Sequence, residues 1–466
     1  FFLFLSEGEE KMDLSPLTAV SPLDGRYHSK TAPLANYFSE FSLIKYRVQV
    51  EVEYFIKLST LNIPPLDKVT LSAATQANLR DIYENFTLDG ANEVKKFESI
   101  TNHDVKAVEY FLKEKFQEIG LKEEIEWIHF GLTSQDVNNT AIPLLLRDSI
   151  KDVYLPALAK VMEALEAKAK EWIEVPMLAR THGQPATPTR VGKELMVFVE
   201  RVRNQLQNVE NNVYLAKFGG ATGGLNAHVV AFPTVDWCSF ADSFITDLGL
   251  KRSQFTTQIA HYDDIGHLFD SLKRINVVLM DLSRDVWQYI SLEYFKQKII
   301  KGEVGSSTMP HKVNPIDFEN CEGNIGIANA LFDHLTSKLP VSRLQRDLSD
   351  STVLRNIGVP LGHTIIALSS LLRGLGKLVL NKPKLEEDLE ANWAITSEAI
   401  QTILRREGVD KPYEKLKELT RKNAHIGPNE IKEFVLGLSD PKITDNVKEE
   451  LLEITPHNYV GVLPKY

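Results

Sequence analysis

Cysteine is almost missing from this chain: Cys238 and Cys321 are the only two in 466 residues. A disulfide framework and a cysteine-rich zinc site are thereby excluded, and a reduced, cytoplasmic setting is expected. Positive charge is not in excess either. Lys plus Arg total 53 against 63 Asp plus Glu, a formal charge of −10. That is the wrong sign for a protein that lives on phosphate-backbone contacts, so no nucleic-acid partner is expected. No run approaches the ~18 consecutive apolar residues of a membrane span, so no membrane partner is expected. Phe1-Phe2-Leu3-Phe4-Leu5 is apolar, but Glu7, Glu9 and Glu10 follow at once. It lacks the basic start and small-residue cleavage site of a secretory signal, and residues 1–11 are expected to lie outside the folded unit. Internal repeats and low-complexity segments are also lacking.

The remaining composition is that of a folded chain, 43% hydrophobic and 25% charged, well away from disorder. At ~150 residues per domain the length allows roughly three domains. Residues 267–301 contain neither Gly nor Pro. Leu268, Leu272, Ile275, Leu279, Leu282, Val286 and Tyr289 alternate spacings of four and three there, the seam of a helix packed nearly parallel to others. Such a rod would be ~50 Å long, too long for a small domain, and this points to a shared, oligomeric bundle. Leu195, Val199, Val202, Leu206, Val209 and Val213 predict a second helix over 193–218. A third is expected over 144–169, starting just after Pro143. Alternating strand patterns are scarce and no β-α-β cadence occurs. The fold class expected is all-α with a long central helical bundle.

Polar groups with chemical potential concentrate in the connections. In Thr101-Asn102-His103-Asp104 and Thr133-Ser134-Gln135-Asp136 a Thr precedes an Asp by three places before an apolar periodic run. That is a capping-box variant, and helix capping is the simpler reading. A capped start also presents N–H groups to an anion, and His103 and His129 sit beside these starts. Arg180-Thr181-His182-Gly183-Gln184-Pro185 is bracketed by Pro176 and Pro188, which predicts a rigid bend between two long helices. His182 there is either a fixed reactive imidazole or a turn histidine bonded to a carbonyl. The richest segment is Gly305-Ser306-Ser307-Thr308-Met309-Pro310-His311-Lys312-Val313-Asn314-Pro315. Packing gives no reason for that density of hydroxyls, imidazole, ammonium and amide. Glycines 302 and 305 would let residues 303–314 close over a ligand.

Weaker patterns read more plainly. Gly219-Gly220-Ala221-Thr222-Gly223-Gly224 has no following Lys and favours a turn over a phosphate cradle. His261, Asp264 and His267 favour a solvated helix face over a metal site. Arg343, Arg346 and Arg355 surround Ser349, Ser351 and Thr352, fitting either an anionic ligand or a surface salt-bridge set.

Residues 305–315 resemble the signature of the fumarase/aspartase superfamily, lyases that eliminate fumarate across a C–N or C–O bond. Residues 101–107, 132–136, 181–185 and 21–27 complete a set similar to the branch acting on a succinylated purine nucleotide, over nearly the whole chain from Met12 onward. The resemblance implies a three-domain fold: an N-terminal helical domain (12–122), a central long-helix bundle (123–367) and a C-terminal helical domain (368–466). It also implies a homotetramer with active sites shared between subunits, and no metal or organic cofactor. By the same resemblance His182 would be the general acid and Ser306 the general base. Thr133, Ser134, Gln258, Lys312 and Asn314 would hold the succinyl part, and Asn102, His103 and Asp104 would line the substrate site. Arg26, Tyr27, Ser351 and Arg355 would receive the phosphate with Arg346 nearby, while His129 and Glu319 would support the catalytic groups. Many members have Arg where this chain has Val313, which loosens the subgroup placement. The residues alone would have made His311 the base, since serine is a weak base at its free pKa. Branches acting on argininosuccinate or carboxymuconate share the serine-rich loop, and lens scaffolds keep only the bundle. Residues 101–104 and the set Arg346, Ser351 and Arg355 favour the nucleotide, and intact His182, Ser306 and Lys312 speak against a scaffold.

Overall fold

The computed structural model describes residues 13–464 except 62, 65–66, 68–70, 301–308, 310–311 and 421–425. Two compact units result: one made of the chain up to Leu158 with Gln205–Val277 and Gly323–Ser369, the other of Ala159–Asn204, Val278–Glu322 and the chain from Ser370 onward.

Helix α1, Glu40–Leu58, organises the first unit. Ser39 caps it by accepting the Ser42 N–H, and Ile44, Val48, Val52 and Phe55 bury one stripe against Leu79, Val94, Val108, Phe111 and Phe116. Each such side chain contributes roughly 1.5–3 kcal/mol by leaving water. The adjoining stripe carries Arg47, Glu51 and Tyr54, also buried. Helices α2 (Leu88–Thr101) and α3 (Asp104–Glu118) are separated only by Asn102 and His103. Helix α4, Ser134–Ser149, carries Pro143 inside it, contrary to the expected start after that proline. The cap at Thr133 nucleates the helix well upstream, and the buried run from Val137 to Leu146 holds it through the missing N–H. A π-helical turn at Ile150–Tyr154 leads into α5, Leu155–Glu171.

Two helices are shorter than their apolar rhythm suggested. Helix α6 covers Val191–Glu210; beyond it strand β3, Leu215–Ala216, pairs in parallel with β4, Lys251–Arg252. Helix α7, Asp263–Ser291, has 29 residues, ~43 Å of rod, and its seam from Leu268 to Val286 is fully buried. It stops short of Lys301 because Glu293 takes φ +61° and the chain turns to bury Tyr294 and Phe295. Phe295–Gln297 (β5) then pairs with Leu378–Leu380 (β6). Absence of Gly and Pro permits a helix but does not compel one. Helices α8 (Ile316–Lys338) and α10 (Gly358–Lys377) complete the long set, with the six-residue α9 (Ser349–Leu354) between them. The stretch Ser349–Lys377 is long and apolar enough to cross a membrane by composition, but 72% of its most apolar window is buried inside the protein, as in a core helix.

In the second unit, residues 176–190 form an antiparallel hairpin, β1 (Pro176–Thr181) with β2 (Gln184–Arg190), not the helix-to-helix bend expected. Thr181 pairs with Gln184, so His182 and Gly183 make a two-residue turn with φ of +54° and +75°. Positive φ at both positions is the twist-matched hairpin turn, and His is one of the few non-glycine residues that tolerates it. Ile400, Leu404, Val435 and Leu451 bury a separate small core near the C-terminus. The all-α expectation holds, with two-stranded ribbons as its only sheets among the described residues.

Candidate active site

A cavity of about 730 Å³ opens in the first unit where α3, α4 and α9 begin, with α1 as its wall. Asn102, His103, Asp104, Ser134, Arg346, Ser351 and Arg355, all singled out from sequence, line it. Asn102 ends α2 in the left-handed region at φ +50°, which lets α3 start at once. His103 is its N-cap: Nδ1 accepts the Lys106 N–H at 3.1 Å, so the neutral ring carries its proton on Nε2, 3.5 Å from Ser134 Oγ. The capping box expected from Thr101 and Asp104 is therefore not formed. Thr101 is the last residue of α2, and its hydroxyl bonds back to the Phe97 carbonyl.

Asp104 instead faces two guanidiniums. Its Oδ2 accepts from Arg47 Nη2 at 2.7 Å and from Arg355 Nη2 at 3.2 Å. Burial pushes this carboxyl upward, but the arginines more than reverse that, and it sits below the usual carboxylate range. Arg47 Nε also reaches Asn138 Oδ1 at 2.8 Å, and Arg355 Nη1 reaches Glu40 at 3.0 Å. On the opposite side Arg346 donates to Gln258 at 3.2 Å and to Ser351 Oγ at 3.4 Å. Ser351 is set by Asp350, whose other oxygen holds Tyr262 and, through it, Asn139. Arg26 is exposed and lies over the Tyr27 ring; neither lines the cavity. Arg343 is exposed beside Asp347 at 3.6 Å.

Beneath the α4 start the Thr-x-x-Asp spacing does form its cap: the Thr133 N–H donates to Asp136 Oδ2 at 2.8 Å. Asp136 is fully buried and also receives the Lys217 ammonium at 2.7 Å and the Gly219 and Gly220 N–H groups. The glycine-rich turn thus holds an internal carboxylate. His129 Nδ1 meets Glu51 at 2.5 Å. Burial pulls this imidazolium down, yet Glu51 outweighs it and the pKa is raised above the ordinary value. Neighbouring His228 has no carboxylate bonded to it, and burial drops it to about 4. His261 is engaged by the Phe255 carbonyl and Asp264 by the Leu215 N–H.

The other sequence-picked residues belong to the second unit. His182 is exposed at the tip of the β1–β2 turn. Glu319, in the first turn of α8, accepts from Trp287 Nε1 at 3.1 Å. Lys312 is exposed, with its N–H on the Met309 carbonyl, and Asn314 is half-buried. Ser306 and His311 lie outside the described residues, as does most of the 303–314 segment expected to close. Sequence reasoning passed over Arg47, Gln135, Asn138 and Glu40 as cavity residues. No local signal set them apart: Arg47 and Glu51, opposite charges four apart beside an apolar stripe, read as an ordinary solvated helix face.

The family model described as Lyase matches residues 25–328, and solved structures of this architecture share the fold. A fumarate lyase from Mesorhizobium sp. BNC1 superposes with TM-score 0.72 at 19% identity, covering 92% of this chain and 95% of that one. A 3-carboxy-cis,cis-muconate lactonizing enzyme from Pseudomonas putida gives 0.71 at 20% identity, covering 92% and 94%. Fold and sequence thus define a lyase of the fumarase/aspartase superfamily. The C-terminal match is narrower: residues 342–460 fit the model described as Adenylosuccinate lyase C-terminal. Adenylosuccinate lyase of Dictyostelium discoideum is 57% identical over 464 residues, 98% of this chain and 99% of that protein. Those of Haemophilus influenzae and Escherichia coli K12 are each 48% identical over 97% of this chain and 98% of their own length. The chain belongs to the adenylosuccinate lyase family.

Proposed function

We propose that this chain eliminates fumarate from adenylosuccinate to leave AMP, and from the succinyl-carboxamide ribotide SAICAR to leave AICAR, in purine nucleotide biosynthesis. The observation that carries the reading is the cavity that gathers Asn102, His103, Asp104, Ser134, Arg346, Ser351 and Arg355 around the starts of α3, α4 and α9, in a chain of this family. The substrate brings one phosphate and two carboxylates. Arg355, Ser351 and Arg346, with Arg26 and Tyr27, receive the phosphate. Thr133, Ser134, Gln258, Lys312 and Asn314 hold the succinyl group.

Removing the Cβ proton spreads a further negative charge into an aci-carboxylate. Fixed N–H donors and the Lys312 ammonium stabilise it; one oriented donor is worth about 3–4 kcal/mol in comparable sites. Ser306 takes that proton and His182 gives one to the departing purine nitrogen, each contributing ~10²–10⁴ in rate. His129, held by Glu51, and Glu319 orient these groups. Acid and base stand on opposite sides of the breaking bonds, which is why they come from different loops.

The same reading makes the protein a homotetramer with shared active sites, on three domains meeting near 122 and 367. Exposed Val197 on α6, Val277 and Trp287 on α7, and Ile327 on α8 support it, since apolar groups on long rods gain by being covered. Fumarate and AMP should appear from adenylosuccinate and nothing from argininosuccinate; the reverse preference would overturn the substrate assignment. Mixing inactive Ser306→Ala and His182→Ala proteins should restore activity, and a fully active monomer in light scattering would rule out shared sites.

A further inference from the structure

Three cavity-lining residues have a buried polar atom with no partner: half-buried Arg346, at Nε, and two that are almost wholly buried, Arg47 and Gln135. Arg47 has 4% of its side chain exposed; Nη2 is engaged by Asp104 and Nε by Asn138, but Nη1 is buried and unbonded. Gln135 is 1% exposed, and its Oε1 is likewise buried and unbonded. The amide orientation follows from its neighbour: Ser351 Oγ sends its own hydrogen toward Asp350, so Gln135 donates Nε2 to that oxygen at 3.5 Å and leaves Oε1 free. An unmade hydrogen bond at a buried atom is costly, so a residue at the cavity wall with such an atom gains from a partner that can reach it.

The chemistry of the pair narrows the ligand group. Arg47 offers a donor, but its charge is already answered by Asp104 at 2.7 Å, so a second anion gains little there. Gln135 offers a neutral acceptor and would repel an anion. A hydroxyl both accepts and donates, and it satisfies either atom without bringing charge. Resting on the nucleotide reading above, we infer that Arg47 Nη1 and Gln135 Oε1 bind the ribose hydroxyls of the substrate, making these two residues specificity determinants for the sugar. The phosphate goes to Arg355, Arg346 and Ser351. Arg47 has a second duty, holding Asp104 in place.

The test compares adenylosuccinate with its 2′-deoxy and 3′-deoxy analogues, and AMP with 2′-deoxy-AMP and 3′-deoxy-AMP by calorimetry. The unaltered enzyme should disfavour at least one deoxy form in kcat/KM and in binding by about 10-fold or more. In Gln135→Met and Arg47→Lys that ratio should collapse to within about 2-fold, because the hydroxyl has lost its partner. A merely structural role would weaken both ligands alike and keep the ratio. Arg47→Lys also disturbs Asp104, so if it does not fold Gln135→Met decides alone. Equal use of both deoxy analogues by the unaltered enzyme, or full discrimination retained in Gln135→Met, overturns the inference. An enzyme that binds AMP selectively yet leaves adenylosuccinate intact would instead sink the proposed reaction.

Discussion

Replacing Asp136 by Asn probes the most deeply buried charge pair in the first unit. The side chains of Asp136 and Lys217 are both 0% exposed and meet at 2.7 Å. The substitution keeps shape and one carbonyl oxygen but removes the negative charge. It leaves an ammonium with the Gly220 carbonyl at 2.6 Å as its other bond. Breaking a buried pair from one side costs about 3–5 kcal/mol. Lys217→Met should cost clearly less, because the remaining carboxylate keeps N–H donors from Thr133, Gly219 and Gly220. The two substitutions together should cost less than their sum, since the double variant strands no charge.

The pH dependence follows from linkage. Burial pulls the Lys217 ammonium below the ordinary lysine range, with Asp136 opposing it. Between the folded and unfolded values the unfolded chain binds more protons, so stability rises with pH across that window. Without Asp136 the folded value falls further and the window widens downward. The Asp136→Asn deficit should therefore be larger at lower pH and shrink as pH rises. Guanidinium unfolding followed by intrinsic fluorescence, at about pH 6.5 and about pH 9 and one protein concentration, measures it. A deficit under about 1 kcal/mol, or one indifferent to pH, would refute the reasoning.

Other outcomes are expected on the same footing. Ser306→Ala and His182→Ala should each lower kcat by at least ~10² with unchanged circular dichroism; near-normal turnover in either removes that residue from its role. Gly131 has φ +69°, and an added Cβ would stand 2.7 Å from the His228 ring. Gly131→Ala should therefore destabilise by about 2–4 kcal/mol in the same unfolding assay. Glu51→Gln should lower the His129 pKa in an NMR titration, since burial alone would depress it. In the unaltered protein the raised value means stabilisation fully present below the ordinary pKa of about 6.5 and lost as pH rises through the folded value. A pH-stability curve that Glu51→Gln leaves unchanged contradicts this. Arg355→Met should raise KM by about 10-fold or more, since its charge-assisted bonds are to be made to the substrate phosphate; an unchanged KM would place the phosphate elsewhere.

What the amino-acid order determined by itself was periodicity and local chemistry. The seam from Leu268 to Val286 announced a long helix, and the Thr133–Asp136 spacing announced a cap, because both depend on neighbours within a turn or two. The residues at the cavity were also legible where they sit in helix connections. Element ends were not: α7 stops at Ser291 and α6 at Glu210 because burial of Tyr294 and Phe295, or pairing of Leu215 with Lys251, competes with helix extension from a distance. The hairpin that carries His182 looked like a bend because Pro185 and Pro188 mask its alternation, and only pairing across the turn resolves it. Tertiary structure alone decided which caps form and which carboxylates meet which cations. Thr101 lost its expected partner because Asp104 gains more from Arg47, which is 57 positions away in sequence. Contacts over such separations leave no local signal, and they are where the cavity takes its charge pattern.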